Sequence, residues 1–456
     1  MINLPRRRLI TTSVATAAVA AATLPGAALA ATPKAAGRAT LAPTPPMGWN
    51  SWNSFATTIT EAQALENAHI MAQKLLPSGY DIFTVDIQWY EPNANGYEYR
   101  KGAELTMDEY GRLLPAPNRF PSAANGNGFK GLADRIHRMG MKFGIHVMRG
   151  IPRQAVRMNT PILGTSLRAQ DIADTSSICE WNGDMYGIDM TKPGAQEYYN
   201  SIFKLYASWG VDFVKMDDLA RPYDKNWREI EGAHKAIVAS GRPITLSISP
   251  GETDLKWAGH VPHYAQMWRI SDDFWDEWKL LKEQFDRLEN WNPVMGENSW
   301  PDADMLPLGR LAMGSRDTKF TPDEQQTLMT LWSIARSPLI MGGDLRSLDD
   351  HTLALLTNPE VLAVHKKSQR NHPHRAEPGT RIWSAQPHGA NTSHYLALFN
   401  TGDAQVDIAF DLSRLNLGDK TVALRDLWQR KDLAPAHGVI RQALAPHASA
   451  LLRITA

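Results

Sequence analysis

Two short stretches of the chain place ionisable groups where a folded protein seldom leaves them. Val211-Asp212-Phe213-Val214-Lys215-Met216-Asp217-Asp218 follows a glycine, runs largely apolar and ends in a lysine and two carboxylates. Met267-Trp268-Arg269-Ile270-Ser271 leads in the same way into Asp272 and Asp273. Burying charge is costly unless the charge is paired or used. Each stretch therefore reads as a buried strand that delivers charged groups at its carboxyl end. Asp217 beside Lys215 has the arrangement of a nucleophile kept ionised by a neighbouring ammonium group. The alternative is an ion pair at a solvated strand end, and the rest of the chain decides between the two.

The elements that must hold these groups recur along the sequence as helix, glycine, strand. Thr60 and Gln63 form a capping box ahead of a helix with Leu65, Ala68, Ala72, Leu75 and Leu76 on one face. Gly79 ends that unit and the strand Tyr80–Asp86 follows. Leu132, Ile136 and Met139 lead through Gly140 to Lys142–Val147, and Tyr199, Ile202, Phe203 and Tyr206 lead through Gly210 to the Lys215 strand. A fourth helix, with Ile230, Ile237 and Val238, stops at Gly241 before Pro243–Ser249. An acidic helix from about Trp275, a helix capped by Thr321 with Pro322 at its first position, and the strand Pro338–Met341 continue the series. With Met47–Trp52 as the first strand there are about eight, which predicts a (β/α)8 TIM barrel over residues 43–370. From 371 to 456 short strands such as Arg381–Ser384, Tyr395–Phe399, Val406–Phe410 and Ala450–Ile454 are split by turn residues, which predicts an antiparallel β-sandwich.

In such a barrel the strand ends form one rim. Trp49 and Trp52, Asp86 and Trp89, His146, Lys215 and Asp217, and Ser249 fall there from the first five strands. Arg269, Asp272 and Asp273, then Asp302, Asp304 and Met305, then Asp344 follow from the last three. Carboxylates with an arginine, a lysine and indoles suit glycoside hydrolysis or metal-dependent hydrolysis. Only His146 among the histidines lies on a proposed strand end and no His-Glu-x-x-His occurs, so no metal is expected. Lysine plus arginine and aspartate plus glutamate number 48 each in 456 residues. That balance argues against a nucleic-acid partner and leaves a neutral oligosaccharide or polysaccharide open. Cys179 is the single cysteine, which excludes a disulfide framework.

The chain begins as an export signal would. Arg6-Arg7-Arg8 precedes the mostly apolar Leu9–Ala22, and Ala28-Leu29-Ala30 offers small residues for cleavage. Residues 1–30 are thus expected to be a signal peptide, resembling the twin-arginine type, with 31–42 as a linker. No stretch is long and apolar enough to span a membrane, so an exported, soluble protein is expected.

Six blocks then carry a resemblance. Met47-Gly48-Trp49-Asn50-Ser51-Trp52, Val85-Asp86-Ile87-Gln88-Trp89, Lys215-Met216-Asp217, Trp268-Arg269-Ile270-Ser271-Asp272-Asp273, Trp300-Pro301-Asp302-Ala303-Asp304-Met305 and Pro338–Leu345 resemble, in order, the signature blocks of glycoside hydrolase family 27. The resemblance implies a retaining exo-acting α-glycosidase without cofactor, Asp217 as nucleophile and Asp273 as acid/base. Asp272 is the competitor for the second role. It further implies that Trp52, Asp86, Lys215, Arg269, Asp304 and Met305 surround the sugar, with His146 and Ser249 beside them. Retention requires the two carboxyl groups about 5–5.5 Å apart. An α-galactosidase is the first expectation. Departures from the family pattern keep an α-N-acetylgalactosaminide, a β-L-arabinopyranoside or an α-glucan as alternatives. Ile87 stands where α-galactosidases carry a second aspartate, and His146 stands where they carry tyrosine. Ser249 falls near a position where the N-acetylgalactosamine-accepting members have serine. A non-catalytic carbohydrate-binding protein on the same barrel is the alternative of another class. The long connection Ile151–Asp189 is either a pocket wall bringing Cys179 or Trp181 to the sugar, or a surface excursion.

Overall fold

A computed structural model describes residues 40–390 and 392–456. The expected signal and most of the expected linker lie outside the described residues. Eight parallel strands form the first sheet: β1 Met47–Asn50, β2 Ile82–Val85, β3 Lys142–Met148, β4 Phe213–Asp217, β5 Thr245–Ile248, β6 Met267–Arg269, β7 Trp300–Asp302 and β8 Leu339–Met341. Their order is β7-β6-β5-β4-β3-β2-β1-β8. The sheet closes into a barrel through Leu306, whose N–H donates to Ile340 O at 2.8 Å and whose carbonyl accepts from Gly342 N–H at 3.0 Å. Nearly every residue of these strands is buried, as parallel strands covered by helices must be. That is why they read as apolar runs broken only where a charge is delivered.

Helices follow the strands as the apolar spacing predicts. Thr60 and Gln63 make both halves of a capping box on Glu61–Lys74, and Thr321 and Glu324 do the same for Pro322–Ala335. Helix Ala195–Trp209 ends at Gly210, whose φ of 86° is open to glycine at little cost and turns the chain into β4. Two expectations shift. Val238 is 68% exposed rather than on the packed face of Tyr223–Ser240. The acidic helix starts at Trp278, not Trp275, because Asp276 is held by Arg316 and the backbone N–H of Lys319.

The Ile151–Asp189 connection is a built element. Strands Ile151–Pro152, Ala173–Ile178 and Met185–Ile188 form a small antiparallel sheet with the last strand in the middle. Gly150 makes the turn into it at φ 87°, where a Cβ would stand 1.9 Å from Tyr186 O.

After the barrel, a six-stranded antiparallel sheet and a two-stranded one, Val406–Asp411 with Val439–Leu444, face each other. Side chains alternate strictly. Ile382, Leu396, Leu398, Leu452 and Ile454 fill the space between the sheets. Trp383, Ala385, Ala397, Phe399 and Leu451 turn the other way and join the barrel's own core. Strands Ser368–His374, Thr421–Asp426, Lys431–His437 and Val439–Leu444 add to the four legible from sequence. Their polar composition, and Pro373 within the first, hid them.

Candidate active site

The carboxyl ends of the barrel strands open into a cavity of about 700 Å³. Trp52, Asp86, Lys215, Asp217, Asp273 and Met305 all line it. Asp272 does as well, but at the outer edge, where it forms a two-pronged ion pair with Arg221 at 2.8 and 2.6 Å.

Asp217 ends β4 and is buried. Its Oδ2 accepts from Nε2 of His146 on β3 at 2.6 Å, and its Oδ1 accepts from the Ser249 hydroxyl at the end of β5. Burial pushes its pKa up, but the charges of His146 and Lys215 and these two hydrogen bonds outweigh it, holding the carboxyl well below the usual range. Lys215, two residues earlier and on the same strand face, donates to Asp86 Oδ2 at 3.1 Å. Burial works against the ammonium charge, yet Asp86 and Asp217 keep its pKa above the ordinary lysine value. Asp86 also accepts from Asn50 Nδ2 at 2.7 Å and from the Ile87 N–H at 2.8 Å. Burial is opposed there by Lys215 and His146, and the carboxyl lies below the usual carboxylate range.

On the opposite wall Arg269, buried on β6, is bound to Asp304 at 2.8 Å and reaches Asp273 at 3.2 Å. Asp304 also accepts the N–H groups of Phe274 and Met305, both at 2.7 Å. Burial, with Asp273 and Asp302 close by, pushes Asp304 up to about 7 against the pull of Arg269. Asp273 itself is half exposed to the cavity.

Of the ten expected site residues, six line the cavity. His146, Ser249 and Arg269 lie one layer behind, each holding a carboxylate that lines it, and Asp304 lies there too, bound to Arg269 and to the Phe274 and Met305 N–H groups. Other rim candidates are elsewhere. Trp49 is packed on Phe83 inside the barrel, Trp89 donates to His146 O, and Asp344 is paired with Arg346. Sequence reading missed Asn50, although it sits inside a quoted block, and Tyr99, which lies in a loop without a periodic signal. It also missed a buried network beneath Asp217. Arg149 pairs with Asp218 and Glu229, both at 2.9 Å, and Tyr199 donates to Glu229 at 2.6 Å. Cys179 is buried against Asp218, and its thiol is pushed up to about 12 by burial. Trp181, by contrast, lines the cavity. Among the described residues no group of three or more His, Cys, Asp or Glu side chains is placed to hold a metal ion, and no helix is long and apolar enough to cross a membrane.

Residues 44–192 and 188–367 match the family model described as alpha galactosidase A, and residues 377–454 match the alpha galactosidase C-terminal beta sandwich domain. The chain belongs to glycoside hydrolase family 27. Among curated family members, the alpha-galactosidase of Coffea arabica is 30% identical over 418 residues, 90% of this chain and 94% of that one. Among solved structures, a family 27 β-L-arabinopyranosidase from Geobacillus stearothermophilus is 49% identical, with a TM-score of 0.89 over 91% of this family 27 chain and 97% of its own. A variant of that enzyme has been crystallised with arabinose.

Proposed function

We propose that this family 27 glycosidase is a retaining, exo-acting β-L-arabinopyranosidase. Ile87 carries the reading. Its side chain lines the cavity beside Asp86, where the family's α-galactosidases place a second carboxylate. A β-L-arabinopyranoside has the ring stereochemistry of an α-D-galactopyranoside without the hydroxymethyl group, so its pocket needs one hydroxyl partner fewer. An isoleucine there leaves a galactose hydroxyl facing a hydrocarbon, and an unpaired buried hydroxyl is costly. The similarity to the Geobacillus stearothermophilus enzyme supports the same sugar.

Asp217, kept ionised by its neighbours, attacks the anomeric carbon while the bond from that carbon to the aglycone oxygen breaks. Asp273 gives its proton to the departing oxygen. Water then attacks the same carbon, the ester to Asp217 breaks, and the water's proton passes to Asp273. Two inversions give retention. The pairing of Asp272 with Arg221 supports Asp273 as the proton donor, because an ion-paired, outward carboxylate holds a proton poorly.

The second reading is α-D-galactosidase, favoured by the names of the curated relatives. A panel of aryl glycosides separates the two. The expected result is fastest release from the β-L-arabinopyranoside, with the first-formed sugar retaining its anomeric configuration by proton NMR. Faster release from the α-D-galactoside would favour the second reading, and binding without turnover would favour a lectin-like role.

A further inference from the structure

We infer that the sheet inserted after β3 is an acceptor-side platform. On it the indole of Trp181 stacks on the sugar to which the terminal residue is attached, so the substrate carries a saccharide aglycone. The inference deepens the glycosidase reading and rests on it.

The inserted segment supplies the outer wall of the cavity through Ser176, Ser177, Ile178, Glu180 and Trp181. Two of these are large apolar side chains left in solvent, Ile178 at 50% and Trp181 at 39% exposure. An indole that keeps 39% of its surface open at the mouth of a polar cavity offers apolar area that a ligand can still cover. It is also continuous with the inner pocket. Trp181 lies against Tyr99 with ring centroids 5.5 Å apart, and Tyr99 is parallel to Trp52 at 6.4 Å. All three line the cavity, forming an aromatic path from the wall near Asp86 outward.

The platform is held from both sides of the indole. Cys179, two residues before it, is buried against Asp218, the residue after the proposed nucleophile. Asn182, one residue after it, donates to Asp184 at 3.2 Å, and Asp184 accepts from Gln88 at 2.9 Å and Tyr90 at 3.0 Å. Gln88 directly follows Ile87, so both tethers run to residues adjoining the inner pocket. A surface fixed before binding loses little entropy when it is used. Its chemistry selects the occupant. Ile178 apart, the groups that share the cavity with the indole are largely polar: Ser176, Ser177 and Glu180 on the platform, with Lys225 and Asn226 beyond it. An aromatic face ringed by hydrogen-bonding groups suits a pyranose, which presents a C–H face edged by hydroxyls. A lipid aglycone would require an apolar rim.

The test compares two donors with the same terminal sugar, a glycosyl fluoride without an acceptor sugar and a disaccharide, on the wild type, Trp181→Ala and Trp181→Phe. The ratio of kcat/KM for the disaccharide to that for the fluoride is expected to fall about tenfold in Trp181→Ala, what one ring contact is worth, and to recover in part in Trp181→Phe. Equal losses on both donors would assign Trp181 to the shape of the inner pocket and overturn the platform. An unchanged ratio would overturn it too. A wild type that hydrolyses the fluoride and not the disaccharide sinks the platform alone, whereas one that hydrolyses neither sinks the glycosidase reading and the platform with it.

Discussion

Nε2 of His146 stands 2.6 Å from Oδ2 of Asp217, with the imidazole wholly buried behind the carboxylate. The family resemblance implies a tyrosine at that position in α-galactosidases, whereas here a ring nitrogen holds the carboxylate proposed as the nucleophile. The consequence for pH dependence has a definite sign. Burial raises the pKa of Asp217, and His146, by charge and by hydrogen bond, is prominent among the groups that bring it below the usual range. Because the ionised form attacks, activity should persist as pH falls until that depressed value is reached. Removing the donor in His146→Phe should move the acid limb of the kcat/KM profile upward and lower the rate roughly 10- to 100-fold. A lowered rate with an unmoved acid limb would show that the imidazole serves packing only.

Asp273 and Asp272 should separate cleanly. Asp273→Asn removes the proposed proton donor, so hydrolysis of substrates with poor leaving groups should fall by about 10² to 10⁴. Aryl substrates with good leaving groups should be affected far less, and azide should restore their turnover as a glycosyl azide. Asp272→Asn breaks an exposed pair with Arg221, where both side chains are more than half exposed, and should cost little. Azide rescue of the Asp272 variant instead would exchange the two assignments.

Ile87→Asp restores the carboxylate that α-galactosidases carry. The ratio of kcat/KM for the α-D-galactoside to that for the β-L-arabinopyranoside should rise by about 10² or more, the scale on which a buried hydroxyl partner discriminates. A ratio that stays level would detach Ile87 from sugar choice.

Asp218 links pH to stability. Burial, opposed by Arg149, lifts its carboxyl from 3.8 to about 6. Between those values the folded protein binds a proton that the unfolded chain does not. The stabilisation is therefore complete below the unfolded value and is lost as pH rises through about 6. Its size is at most about 3 kcal/mol. Asp218→Asn keeps an acceptor for Arg149 and tolerates the φ of 62° at this position. Denaturant unfolding should show that wild type loses stability relative to the variant as pH rises from 3.8 to about 6. Parallel pH profiles for the two proteins would refute the assignment.

The barrel was legible because its strands are covered on both faces and so stand out as apolar runs, and because Thr60, Thr321, Gly210 and Gly241 punctuate its helices. The lining charges Asp86, Lys215, Asp217 and Asp273 were legible for a related reason, since charges at the ends of such runs have few structural uses, while Trp52 and Met305 followed from the family resemblance. What stayed hidden depends on the third dimension. Nothing in the spacing of Arg149, Asp218 and Glu229 announces that they meet beneath Asp217. Asn50 looked like part of a block until its amide was found on Asp86. The wall around Trp181 comes from short strands whose polar residues alternate without a clear period.

The alternation along the strands Thr380–Pro387 and Ser393–Asn400 sends Trp383, Ala397 and Phe399 into the same apolar interior as helix Pro322–Ala335. That helix in turn supports the cavity wall, for the Trp332 indole donates to Asp304 O at 3.0 Å. The trailing sandwich is thus part of the barrel's foundation. Cutting the chain near residue 370 would leave helix Pro322–Ala335 facing water on one side, so catalytic competence and the integrity of the sandwich should melt in a single cooperative step.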